Sequence, residues 1–176
     1  MRGGNRVSQA TSRRRAARGA RLGGYIYGTI VVLSTVVAGA KAYQGHVGHV
    51  ALLVLITTTV FWLAHVYAHA LAHSVAHDQH LSGAALKEIA GRESSIIEAA
   101  IGPLIALLLG HWGVVSERAA VWLAVACGLS VLVSQGFAFA RTERLGRFAT
   151  LAIVAVNLGL GLVLVGLKLW VSHGHQ

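Results

Sequence analysis

"VGHVALLVLITTTVFWLAHVYAH", residues 47–69, runs for 23 positions without an Asp, Glu, Lys or Arg. A hydrocarbon core of ~30 Å takes ~20 helical residues, so this stretch is long enough to cross one. Four similar runs flank it, giving five segments: approximately Tyr25 to Ala42, Val47 to His69 or beyond, Ser95 to Val115, Ala119 to Ala140, and Phe148 to Val171. A strand crossing a bilayer would show ~10-residue stretches of alternating polarity, and none appear. The sequence therefore predicts an all-α, polytopic integral membrane helical bundle with five transmembrane helices.

The composition agrees: 55% of the 176 residues are apolar and 12% are charged, richer in apolar and poorer in charged residues than soluble proteins are. The net charge of +9 is concentrated, because seven of the fifteen basic residues are arginines within the first 21 positions. That is a tail rather than the basic face of a nucleic-acid binder. Lysine and arginine are retained on the cytoplasmic side. With the N-terminus inside, twelve of them fall inside, and Lys41, Arg118 and Lys168 outside. This partition requires an odd number of crossings and puts the C-terminus outside. The expected organisation is a basic, disordered cytoplasmic arm over residues 1–24, a single transmembrane domain over 25–171, and a short outer tail over 172–176, in the cell membrane.

The N-terminus has other features to weigh. Ala38-Gly39-Ala40 has the form of a signal-peptidase site, but the apolar run before it exceeds the usual ~7–15 residues. Residues 1–24 lack acids and contain serine and threonine, as organellar transit peptides do. An orienting arm, drawn to anionic lipid headgroups of the same leaflet, is the reading adopted.

The chemistry is concentrated where the second segment ends. "HVYAHALAHSVAHDQH", residues 65–80, repeats histidine at His65, His69, His73 and His77 and adds His80. Steps of four advance ~40° around a helix, so the four share an arc of ~120° and His80 falls within it. Pairs at i and i+4 can chelate a divalent transition metal, and imidazole titrates near physiological pH. The residue after the first histidine of each pair is Val66, Ala70 or Ser74, never the glutamate that a helix-borne zinc hydrolase needs. Counting from Val47 places this ladder at the inner membrane edge. Glu98, in the first turns of the third segment, is expected beside it as a partner. His46, His49 and His111 form a second candidate cluster on the outer side. Toward that side the ladder face continues through Trp62, Thr58, Leu55 and Ala51, so this helix alone carries no polar path across the bilayer.

Three function classes follow. The first is a membrane-embedded interaction, assembly or pH- or metal-responsive regulatory protein. The second is a proton or divalent-metal channel or transporter. The third is a metal or haem redox protein: His49 with His111 could ligate haem, and His73, His77 and His80 resemble one cluster of the membrane di-iron hydroxylases and desaturases, whose further clusters this chain lacks. The first is favoured, because no charged residue lies at the middle of any segment to mark an ion path. There is no phosphate-binding loop and no G-x-S-x-G elbow, and the single Cys127 permits no internal disulfide. Gly102-Pro103 is expected to kink its helix. Gln135 and Asn157 are candidates for hydrogen bonding between helices. Two small-residue pairs, Ala124 with Gly128 and Ala155 with Gly159, allow close helix approach and homo-oligomer formation.

Overall fold

The computed structural model describes residues 3–77, 82–142 and 146–173. They form six helices: α1 (Gly3–Ala42), α2 (Val47–His77), α3 (Gly83–Arg92), α4 (Ser94–His111), α5 (Glu117–Thr142) and α6 (Arg147–His173). Four of these contain stretches long and apolar enough to cross a membrane: Arg21–Ala42, Val47–Val75, Ser94–His111 and Glu117–Arg141. The protein is thus an all-helical chain with the helices of a membrane protein, and no strand occurs among the described residues.

α1 is longer than the apolar run that announced it. Its backbone is helical from Gly3, through the segment expected to be a disordered arm. Alanine and arginine are strong helix formers, and this arm is rich in both and lacks proline. The helix ends at Ala42, and in the turn that follows Gly45 takes φ 76°, a left-handed conformation that favours glycine. The turn is closed by the His46 amide, which donates to the Tyr43 carbonyl at 3.1 Å.

α1 occupies the centre. It packs against α2, α4, α5 and α6, while α2 with α4, α4 with α5 and α5 with α6 are neighbours around it. Val32, Leu33 and Val36 of α1 are fully buried among Val50 and Val54 of α2, Leu107 of α4 and Leu132 of α5. Between membrane helices there is no hydrophobic drive, so close packing must hold them. Small residues supply it. A side chain at Gly110 would run into Ala120 of α5, and one at Gly102 would touch Cys127 at 3.5 Å. Gly128 receives Leu33 of α1, so the Ala124 and Gly128 pair works inside the bundle. Ala155 is exposed and Gly159 has no neighbour within 4 Å of a Cβ position, leaving that pair on the outside. Asn157 is buried against Gly136, and α4 continues as one helix through the buried Pro103.

α4 serves as a ruler for α2. Its 18 residues measure about 27 Å. At one end the His111 ring covers Gly48 of α2; at the other, Glu93, the residue before α4, meets His69. α2 therefore overhangs α4 from His69 to His77, by about 12 Å. In that overhang α3 folds back onto it.

Candidate functional site

The five-segment reading leaves α3 in the connection between the second and third segments. Ser82 starts it as N-cap, accepting from the Ala85 amide at 3.2 Å, and such a cap satisfies one of the otherwise unpaired first-turn donors. Its buried residue, Ile89, packs with Val66 and Ala70 of α2. One turn along the same face, the Trp62 indole N–H donates to the Ala90 carbonyl at 3.3 Å. The chain then turns at Glu93 into α4. Glu93 makes no side-chain capping bond to α4; its carboxylate instead lies 3.2 Å from His69 Nδ1.

The ladder is thereby divided among different neighbours. His65 is half-buried, its ring 4.8 Å from Phe61 and 5.5 Å from Tyr27 of α1 between centroids. Its Nδ1 is 3.2 Å from the Phe61 carbonyl. A carbonyl can only accept, so Nδ1 carries the proton and Nε2 is the acceptor when the ring is neutral. The His69 ring is 6.3 Å from that of His65 and turns to the α3–α4 junction. His73 is exposed one turn further on, and His77 is the last described residue of α2. The side chain of His77, and all of His80, lie outside the described residues.

Glu98 is brought to α1 rather than to the ladder. It accepts hydrogen bonds from Ser94 Oγ at 2.8 Å, from Arg21 at 3.3 Å and from the Tyr25 hydroxyl. Arg92 pairs with Glu88 one turn earlier in α3. Arg21 and Arg92 thus each take a carboxylate, and Glu93, with a side chain only 15% exposed, lies against a histidine. Further along the ladder face, the Thr58 hydroxyl is buried without a hydrogen-bond partner among the described residues. Ser95 Oγ, beside Gly24 of α1, is in the same position.

The second cluster is assembled differently. His49 stacks on Tyr43 at 5.6 Å and meets His46 edge-on at the same distance. His46 Nδ1 donates to the Gln44 carbonyl at 3.1 Å. His111 joins them only through its contact with Gly48. Among the described residues, no three His, Cys, Asp or Glu side chains converge to hold a metal ion. At the ladder, Nδ1 of His65 is engaged by the Phe61 carbonyl and Nδ1 of His69 by Glu93.

Among the described residues, the α3–α4 junction is held to α2 by the packing of Ile89 on Val66 and Ala70, the Trp62 indole hydrogen bond and the His69–Glu93 contact. Glu93 escaped the sequence reading because it stands between two helices that were read as loop and helix. The available signal was Ser82 before a short amphipathic run, which marks a helix start. Compared with known protein families, curated proteins and solved structures, the chain matches none.

Proposed function

We propose that this chain is a multi-pass membrane protein of the regulatory or assembly type, whose α2–α3 joint responds to protons at the ladder end. The observation that carries this reading is the pairing of Glu93 with His69 while the neighbouring carboxylates take arginines. An arginine pair keeps its charges at all physiological pH values, whereas a histidine pair gains its second charge only on mild acidification. Protonated His69 donates a charge-assisted bond to Glu93; on deprotonation a weaker neutral one remains. His69 is 56% exposed, so the added attraction is worth about 1 kcal/mol at most. That shifts a balanced two-state joint about fivefold, enough to bias the docking of a partner.

In the full reading the bundle crosses the cell membrane five times, with the N-terminus cytoplasmic and the C-terminus outside. α6 supports this through its apolar stretch Phe148–Val163, which lies within a helix of 27 residues, about 40 Å long. The charges support it too: Arg21, Lys87, Arg92 and Arg141 stand at the ladder end, against Lys41 and Arg118 at the other. The basic arm of α1 meets anionic headgroups of the ladder-side leaflet. The outward Ala155 and Gly159 offer α6 to a second copy.

The experiment uses Trp62, whose indole belongs to the joint. In a variant carrying Trp112→Phe, Trp122→Phe and Trp170→Phe, Trp62 emission shifts between about pH 8 and about pH 5.5. The shift disappears in Glu93→Gln and in His69→Ala. A shift retained in both variants refutes the joint. Proton or zinc flux in proteoliposomes that depends on His65 and His69 would replace it with the ion-pathway reading.

A further inference from the structure

The end of the bundle opposite the ladder contains a cleft of about 630 Å³ between the last turn of α1, the α1–α2 turn and the first turns of α5. Its volume is that of a small-molecule site, and its chemistry is divided by depth. Toward the bundle its walls are Val37, Val121 and Val125; at the rim stand Lys41, Glu117 and Arg118, with Trp122 beside them. Glu117 is turned to the start of α2, its carboxylate 3.5 Å from the Val47 amide. Lys41 and Arg118 are exposed, and neither forms an ion pair among the described residues. Two cations without an ion pair among the described residues therefore line the same largely apolar cleft, at the level where α1 and α5 leave their apolar spans.

From this geometry we infer that the cleft binds an anionic glycerophospholipid of the leaflet at that end. Its phosphate sits between the Lys41 ammonium and the Arg118 guanidinium, and an acyl chain lies along Val121 and Val125. A guanidinium fork matches phosphate oxygens in a bidentate arrangement, and basic pockets between membrane helices hold anionic headgroups. A free anion would use the two cations but would leave the valine walls and Trp122 without a partner. A zwitterionic lipid would use the walls but bring a cation to a rim that already has two. The occupant that satisfies both halves is an anionic lipid. Trp122, 57% exposed, is an interfacial residue placed to contact it.

Trp122 also makes the test local, since the basic arm of α1 lies at the other end and cannot mimic the signal. A variant with Trp62→Phe, Trp112→Phe and Trp170→Phe is reconstituted in phosphatidylcholine vesicles. A tenth of the lipid is then replaced by dibrominated phosphatidylglycerol or by dibrominated phosphatidylcholine. The expected result is about twofold greater quenching of Trp122 by the anionic lipid, as selective headgroup binding requires. Lys41→Ala with Arg118→Ala abolishes the excess; Lys41→Arg with Arg118→Lys, which keeps both charges, preserves it. Equal quenching by the two lipids overturns the inference, as does an excess that survives the double alanine variant with helical content unchanged. Removal of the excess by millimolar inorganic phosphate at constant ionic strength also overturns it, by identifying a free-anion site.

Discussion

The two ends of α2 have histidines of the same kind in different company. At its start, His49 lies on Tyr43 and against His46, and the His111 ring covers a glycine. At the ladder end, His65 is held by aromatic rings and a carbonyl, and His69 by a carboxylate. Gain of a proton is a local event among the first group, where the neighbours are ring faces and backbone. In the proposed joint, a proton on His69 adds attraction between two helices. The comparison teaches that a histidine pattern states where protons can bind, while the facing residue determines whether binding moves anything.

The largest expected effect comes from the apolar half of the joint. Ile89→Ala removes the one buried side chain of α3, a change that costs about 2–4 kcal/mol at a packed site. Amide exchange in α3 then accelerates by at least about tenfold, while α4 and α5 keep their protection. Uniform acceleration across the bundle would show that α3 is not a separately docking unit and would remove the contrast between the two ends. At the other extreme lies Gly48→Ala. The nearest atoms to the new methyl belong to the His111 ring, an exposed side chain. Thermal stability should change by less than about 0.5 kcal/mol, the usual range for surface changes. A large loss would mean that the His111 contact holds α2 to α4 and is more than a surface packing.

Much of the fold was legible because bilayer length is a strict constraint. Val47–Val75, Ser94–His111 and Glu117–Arg141 fall close to the predicted segments, and their ends follow from apolar runs bounded by polar residues. α3 was harder to see. Ten residues with a single buried side chain leave too little periodicity to distinguish a docked helix from a loop. The structure runs α1 back to Gly3, through a segment whose concentrated positive charge suggests an arm while its alanines and arginines favour helix. At the candidate site, residue type and spacing located the ladder but not its partner. Glu98 lay at a suitable depth, but depth says nothing about the direction of a side chain around α4, and Arg21 and Tyr25 of α1 engage it. Glu93 is set by the turn between α3 and α4, a feature visible only once both helices are in place.

The most direct test of the central claim is a double-mutant cycle on His69→Ala and Glu93→Gln, read as the stability of the α2–α3 joint by exchange of the Ile89 amide. The same cycle with His49→Ala in place of His69→Ala is the control. The predicted coupling between His69 and Glu93 is larger at about pH 5.5 than at about pH 8, by up to about 1 kcal/mol, with none in the His49 control at either pH. A His69–Glu93 coupling that is absent in acid, or equal at the two pH values, would contradict the account.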